Sequence, residues 1–267
     1  MTATHRSHPA FFATILFLSL LLAACQTPTN APSEATETDS SILTPDKRWA
    51  VAVSNGDGLG SIYTAEAIGI SMDGSYYQGL PAIKAQLAAM HPQGIDTIFN
   101  LAREVANRDS TYTYEISGYT TPSGDAFRQL AIWNHKEEQA VRELEFLAKA
   151  DLAQRPAPSV LDTYRQLWIE RCNAHDAYKL VAESYTPNAL YYNHKPLVIG
   201  TDSIAKDYSY MNRPGYELLL TPLAVEMVST ELAFEIGQCS GSYGGKYVLV
   251  WQKNEAGIWQ VLFDSNI

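Results

Sequence analysis

Hydrophobic and polar positions in the second half of the chain follow a helical period first and a strand period afterwards. Apolar residues recur at helical spacing between residues 161 and 168, and two further helices are predicted, one beginning at Asp176 and one ending at Met211. Strands are predicted over residues 190–193, 196–199, 216–220, 224–228, 232–238, 246–253 and 259–264. Helices followed by antiparallel strands are typical of an α+β domain.

The first half shows the same order less clearly. Helices are predicted from Pro45 and over residues 81–90, and a hairpin over residues 67–77 turns at Asp73-Gly74. Strands are predicted over residues 98–105, 111–119 and 127–135. The composition of residues 140–146 favours a helix, but their position relative to the second half favours a strand, and we predict a strand.

An internal repeat explains why the two halves share this order. Tyr63–Lys84 and Tyr185–Lys206 both begin Tyr-Thr-x-x-Ala, contain a Tyr-Tyr pair, and place a Gly four residues before an Ile. Each copy is the size of an ordinary domain, so we predict two tandem domains of one fold. Their predicted bounds are 45–152 and 159–267, joined by a proline-containing linker at 153–158.

The N-terminal segment predicts where in the cell the protein is located. Its apolar run, Phe11–Ala24, is shorter than the roughly 20 residues that span a bilayer and is typical of a signal peptide over residues 1–25. The run ends Leu-Ala-Ala-Cys, which resembles the lipobox of bacterial lipoproteins. That resemblance implies that Cys25 is lipidated and anchors the protein to a membrane. The alternative is an ordinary signal peptide with a chance cysteine.

Residues 26–44 carry almost no large apolar side chains and are expected to form a flexible tether. Residue 26 is Gln, so the Asp that retains lipoproteins of enteric bacteria in the inner membrane is absent. The resemblance therefore implies that the protein lies in the cell envelope. It would be anchored at the outer membrane, on either its periplasmic side or its surface.

Composition narrows the possible partners. The formal net charge is −10, and without a Lys/Arg cluster a nucleic-acid partner is not expected. No Cys/His spacing predicts a metal site, and no cofactor is expected. Ten of the 16 tyrosines follow residue 160, which makes the second domain rich in aromatic side chains. Cys172 and Cys239 either pair or remain two buried thiols.

The second domain also carries motifs of a known superfamily. A helix with Trp168, then Asp176, then Tyr-x-x-x-Ala and Gly-x-x-x-Ile, with the closing Gly-Lys-Tyr-Val-Leu-Val-Trp and Gly-Ile-Trp-Gln-Val, resembles the SnoaL-like branch of the nuclear transport factor 2-like superfamily. The resemblance implies a curved antiparallel sheet that wraps three helices into a cone with an interior pocket. Members include ketosteroid isomerases, polyketide cyclases, dehydratases and non-catalytic binders, so it does not by itself assign a function.

Two pairs of matching carboxylates are candidates for a site. Asp57 and Asp176 each precede a predicted helix, and we interpret them as helix caps in preference to pocket carboxylates. Glu115 and Glu235 match within strands. Desolvation in a pocket wall would raise the pKa of such a Glu and allow it to act as a base. Because Glu residues are more often exposed, we favour a surface position for both. His175 is either a base or a solvated turn residue.

Asp264 and Asn266 end the second domain with polar groups. Aligning Phe146 with Phe263 places Leu147 opposite Asp264, which predicts that the first domain lacks this polar end. Strand alternation puts Asp264 on the face away from Phe263. A β-bulge, or a pocket on that mixed face, is needed to bring its carboxylate inward.

Further candidates for lining a pocket are Tyr191, Tyr192, Asn193 and Tyr247, although most tyrosines of this kind are core rings with satisfied hydroxyls. We favour a non-catalytic module that binds a small apolar or aromatic ligand or an envelope protein partner. The alternative is an isomerase or lyase of the ketosteroid isomerase or polyketide cyclase type, with Glu235 or Asp264 as general base. A third hypothesis is that the tandem domains pair with each other as the subunits of a homodimer would.

Overall fold

The computed structural model describes residues 43–136, 138–194 and 196–267. The predicted signal peptide, the lipidated Cys25 and nearly all of the predicted tether lie outside the described residues, and those predictions stay predictions. The described residues belong to one compact unit. Within the described ranges, no helix has both the length and the hydrophobicity needed to cross a membrane.

Each half of the described chain contributes helices and six strands. The first half contains α1 (Pro45–Asn55), β1 (Tyr63–Ser71), β2 (Tyr76–Gln78), α2 (Leu80–Met90), β3 (Thr97–Val105), β4 (Tyr112–Thr120), β5 (Ala126–Asn134) and β6 (Val141–Lys149). The second half contains α3 (Asp162–Asn173), α4 (Ala177–Ser184), β7 (Tyr185–Tyr192), β8 (Val198–Ile199), α5 (Thr201–Asp207), β9 (Leu218–Met227), β10 (Leu232–Gly241), β11 (Lys246–Lys253) and β12 (Trp259–Ser265). Short 3₁₀ helices cover Leu59–Ser61, Pro158–Leu161 and Tyr208–Asn212.

The two sheets have the same topology, which confirms the α+β class and the tandem arrangement. Their strand orders are β2-β1-β6-β5-β4-β3 and β8-β7-β12-β11-β10-β9. The expectation of a purely antiparallel sheet is wrong at one pair in each, because β1 runs parallel to β6 and β7 runs parallel to β12. This pairing sets the first strand of each repeat beside the last strand of the same half.

The element predictions are largely confirmed. Residues 141–149 form a strand, as their position in the repeat indicated. The two strands predicted over 216–220 and 224–228 are one strand, β9, with an irregularity opposite Ile236 and Gly237.

The helix predicted after Asp57 is absent, since the described chain forms only a 3₁₀ turn there, and the first half holds two α-helices instead of three. The Asp57 carboxylate accepts a bond from the N–H of Gly58 and caps no helix. Asp176 does cap α4, accepting the N–H of Lys179 at 3.0 Å.

One face of each sheet packs against the other sheet and forms a core that both halves share. The core includes Ile116, Ile132 and Phe146 from the first half, and Phe234, Val248 and Val250 from the second. The rings of Phe146 and Phe234 meet edge to face, with centroids 5.4 Å apart. The tandem domains therefore pair through their sheets within one chain, as expected, while the opposite face of each sheet is covered by the helices of its own half.

Replacing Phe234 by Ala should destabilise the whole chain. Phe234 is fully buried in the shared core, and truncation of such a ring costs about 3–5 kcal/mol because a cavity remains. Since both sheets contribute to this core, we expect one cooperative transition in urea, at a lower midpoint, by circular dichroism and tryptophan fluorescence alike. Val51→Ala is the control, because Val51 is 48% exposed and its loss should change stability by less than about 0.5 kcal/mol. Two separate transitions in the native chain would contradict a shared core.

Candidate functional site

The helix-covered face of the second sheet encloses a small cavity. Its volume is about 20 Å³, which is room for about one water molecule. Its apolar wall consists of Met211, Leu218, Leu220, Cys239 and Leu249, and its aromatic and polar wall consists of Trp168, Tyr208, Tyr247, Asp264 and Asn266. Asp264 supplies the carboxylate of this wall, and its residue is only 4% exposed.

A bulge in β12 turns Asp264 toward this cavity. Val261 lies opposite Trp251, but Phe263 lies opposite Val250, so one residue of β12 is left over between the two pairs. Val261 consequently packs in the core beneath the helices, Phe263 packs in the core between the sheets, and Asp264 returns to the helix side. Strict alternation along β12 would turn Asp264 away from the helices. The bulge is therefore what brings its carboxylate inward.

Two tyrosines hold the Asp264 carboxylate. The hydroxyls of Tyr185 and Tyr208 donate to its Oδ2 at 2.6 and 2.5 Å, and Trp168 Nε1 donates to the Tyr185 hydroxyl at 3.2 Å. Burial raises the pKa of Asp264 to about 6, although the two tyrosine bonds act in the opposite direction. In the described part of the chain no Lys, Arg or His forms a salt bridge with Asp264.

Glu235 lies on the same side of the sheet, but its charge is fully compensated. Arg165 donates to both carboxylate oxygens at 2.8 and 2.7 Å, and Tyr247 and Trp251 donate at 2.7 and 2.9 Å. The Tyr247 ring lies over Gly237, where a Cβ would come within 2.2 Å of the ring. Glu235 is 0% exposed, so the favoured surface placement is wrong.

The other predicted site residues separate into two groups. Tyr191 faces the helices, where its hydroxyl donates to Asn266 Oδ1 at 2.7 Å and accepts from Asn193 Nδ2 at 2.9 Å. Tyr192 faces the other way, into the core between the sheets, and its hydroxyl donates to Glu143 of the first half at 2.9 Å. Tyr192 is therefore a contact between the sheets and does not line the cavity.

The first half has its own inward carboxylate, contrary to the prediction that it lacks one. Ala131 lies opposite Glu145 in the first sheet, as Leu249 lies opposite Asp264 in the second. Glu145 is therefore the counterpart of Asp264, and the alignment that placed Leu147 there is wrong. The error arises because Phe146 and Phe263 are not equivalent: Leu144 lies opposite Ile132 as Phe263 lies opposite Val250, so the alignment was displaced by two residues.

The same three-residue arrangement holds both carboxylates. Trp49 Nε1 donates to the Tyr63 hydroxyl at 2.6 Å, and that hydroxyl donates to Glu145 Oε2 at 2.5 Å. Tyr63 lies opposite Arg142, and Tyr185 lies opposite Val261, so Arg142 corresponds to Val261.

Arg142 fills the interior of the first half. It is 0% exposed, and its Nη1 donates to Glu145 Oε2 at 2.8 Å and to Gln129 Oε1 at 3.1 Å. Its guanidinium carbon lies 4.5 Å from the ring centroids of both Trp49 and Trp133. The buried carboxylate of this half is thus neutralised from within the chain.

The remaining candidates do not form a reactive centre. Glu115 is buried, and Arg103 Nε donates to it at 2.8 Å. Cys172 and Cys239 are free buried thiols, and burial raises the pKa of each to about 12. His175 Nδ1 lies 3.3 Å from a backbone carbonyl. Among the described residues no group of His, Cys, Asp and Glu is placed to hold a metal ion.

Sequence reasoning missed Tyr185, Tyr208 and Arg165, which hold the two carboxylates of the second half. A signal for Tyr185 was present, because the repeat begins with this tyrosine in both copies. For Tyr208 and Arg165 the sequence holds no such signal, since their partners lie 56 and 70 residues away.

Three solved structures show similarity to part of this chain. A protein of unknown function with a cystatin-like fold from Nostoc punctiforme is 18% identical, with a TM-score of 0.35, over 40% of this chain and 74% of that chain. A ketosteroid isomerase-like protein from Erwinia carotovora atroseptica is 18% identical, with a TM-score of 0.35, over 40% of this chain and 92% of that chain. An NTF-2 like protein of unknown function from Shewanella oneidensis is 18% identical, with a TM-score of 0.36, over 41% of this chain and 98% of that chain.

No protein-family model matches the chain, and no curated protein shows significant sequence similarity to it. At these identities and TM-scores, the structural similarities assign no function.

The raised pKa of Asp264 predicts a pH dependence of stability. Because burial raises the pKa from 3.8 to about 6, the protonated form stabilises the fold below pH 3.8, and this contribution is lost as pH rises through 6. At 1.36 kcal/mol per pKa unit the loss is about 3 kcal/mol. Asp264→Asn cannot titrate. The unfolding free energy of the native chain minus that of the variant should therefore fall by this amount between pH 3.8 and 7, as measured in urea.

Asp125→Asn is the matched control for this experiment. Asp125 is a surface residue whose pKa is lowered, first by its hydrogen bond with Lys149, so its contribution to stability does not fall with rising pH. A difference between the native chain and Asp264→Asn that stays constant from pH 3.8 to 7 would show that Asp264 titrates normally.

Proposed function

We propose that this protein is a lipid-anchored cell-envelope protein whose second domain binds a small molecule without transforming it. The lipobox resemblance at Cys25 and the polar composition of residues 26–44 support the anchor and the tether. The topology of the two sheets fits the nuclear transport factor 2-like superfamily, whose members include non-catalytic binders. In this proposal the first domain is a scaffold for the second.

The observation that carries the proposal is the unneutralised Asp264 carboxylate in an otherwise largely apolar cavity. A buried carboxylate without a cation is unfavourable unless another group compensates it. Here two tyrosine hydroxyls share one oxygen, and the carboxylate also lines the cavity. An apolar pocket with a few convergent polar groups is the usual form of a small-molecule site.

The cavity must enlarge to admit a ligand, because about 20 Å³ holds no more than a water molecule. Its wall includes Met211, a flexible unbranched side chain, beside Leu218 and Leu220. The two leucines carry no hydrogen-bonding group, and Met211 accepts only a weak bond from the Cys172 thiol at 3.6 Å, so these side chains can move at little cost in hydrogen bonds. The opposite wall, with Asp264 and its tyrosines, stays fixed by the bonds described above.

Native mass spectrometry of the full chain tests this proposal. We expect the chain isolated from a bacterial host to carry a small molecule. Asp264→Asn should lose that molecule, because the variant removes the only carboxylate in the cavity wall. Glu145→Gln is the matched control in the first domain and should retain it. A bare mass for the native chain, together with no binding from a library of small apolar compounds, would overturn ligand binding and direct the search to an envelope protein partner.

A second candidate function is favoured by one observation. The pKa of Asp264 is raised to about 6, close to the pH at which a general base works well, and two tyrosine hydroxyls lie beside it. This arrangement fits an isomerase or lyase that moves a proton next to a carbonyl group. Glu235 does not fit that role, because Arg165 occupies both of its oxygens.

Deuterium exchange separates the two functions. Under the binding proposal, the native chain should exchange the α-protons of small apolar ketones in D₂O no faster than Asp264→Asn does, measured by proton NMR. A rate that exceeds the variant's by about 100-fold or more, the usual contribution of general-base catalysis, would establish the enzyme instead. Glu145→Gln serves again as the control and should equal the native chain in either case.

A further inference from the structure

The two domains differ at one position inside the cone, and the difference bears on the ligand. In the first domain, Arg142 places a guanidinium between Trp49 and Trp133 and against Glu145. In the second domain the equivalent residue is Val261. Its side chain is fully buried, short and uncharged. The first domain therefore contains a planar cation, the Arg142 guanidinium. The second domain has no cationic side chain at the equivalent position.

The groups around that cation recur in the second domain. Glu145, Trp49 and Gln129 contact the guanidinium of Arg142. Their counterparts by strand pairing and repeat position are Asp264, Trp168 and Tyr247, and all three line the cavity. The cavity is thus bordered by the counterparts of three groups that contact the guanidinium, namely an indole, a phenol ring and a carboxylate. The fourth group, Trp133, corresponds to Trp251, which donates to Glu235 instead.

Arg165 does not supply the missing cation. Its Nε and Nη2 donate to Glu235, and its Nη1 donates to Asp162 at 2.8 Å. Three of its five N–H groups thus donate to other carboxylates, and neither of the other two donates to Asp264. In the described part of the chain, no cationic side chain reaches the Asp264 carboxylate within salt-bridge distance.

From this comparison we propose that the second domain binds a small molecule bearing a planar organic cation, such as an amidinium or guanidinium group, with that group against Asp264 and Trp168. This rests on the proposed function and specifies its ligand. A planar cation can donate an N–H to the Asp264 oxygen that the two tyrosines leave without a donor, and it is attracted to the face of an aromatic ring. The apolar body of the ligand would displace Met211, Leu218 and Leu220 at the other wall.

Benzamidine, benzamide and benzoate test the proposal, since they have nearly the same shape and differ in charge. With the full chain at pH 7.5, we expect benzamidine to bind at least about 10-fold more tightly than benzamide by isothermal titration calorimetry, and benzoate not to bind. Asp264→Asn should remove the preference for the cation. Glu145→Gln, in the first domain, should keep it.

A measurement on the native chain tests the proposal without depending on whether the variants fold. In a ¹⁵N-labelled chain, benzamidine should shift the indole N–H signal of Trp168 and leave that of Trp49 in place, because Arg142 already occupies the first domain. Equal binding of benzamide and benzamidine at Trp168 would overturn the cation preference while leaving small-molecule binding intact. Binding of none of the three, with a bare native mass, would overturn both. A shift of Trp49 instead of Trp168 would overturn the assignment to the second domain.

Discussion

The contact between the two sheets determines where every other group of this protein lies. It occupies the central strands on one face of each sheet with side chains such as Phe146 and Phe234, and the helices of each half cover the opposite face. Polar groups that point to the helix side are consequently enclosed and cannot reach water. Glu145 and Asp264 both stand on such a face, and each needs a partner supplied from inside the molecule.

The duplicated fold meets this requirement differently in its two copies. Both copies keep the Trp-Tyr-carboxylate arrangement, so the acceptor and its first donor are common to them. The first copy adds Arg142, which completes an internal ion pair and fills the interior. The second copy has Val261 at that position and relies on a second tyrosine, Tyr208, which leaves a cavity beside Asp264. The exchange of Arg142 for Val261 is thus one of several differences between a filled interior and one with a small cavity, together with Glu145 against Asp264 and Gln129 against Tyr247.

The sequence predicted the architecture well because the repeat is local and periodic. The Tyr-Thr-x-x-Ala segments located the first strand of each half, and alternation located most of the others. The comparison of the two last strands was wrong because it relied on a shared residue type. Matching Phe146 to Phe263 displaced the comparison by two residues and paired Asp264 with Leu147, whereas the strand pairing makes Leu144 the counterpart of Phe263 and Glu145 that of Asp264. The bulge that turns Asp264 inward was not located either, because no pattern in a single sequence marks it.

The placement of Glu235 was missed for another reason, which also decides between the two carboxylates of the second domain. Base rates put an isolated Glu at the surface, but Arg165, 70 residues earlier on a helix, makes burial favourable through two charge-assisted bonds. A carboxylate held in this way has no free lone pair directed at a ligand and serves the fold. Asp264 has donors at one oxygen only and a cavity beside it. The unequal compensation of two buried carboxylates therefore supports the end of β12, and not the better-bonded ion pair, as the place of the proposed binding function.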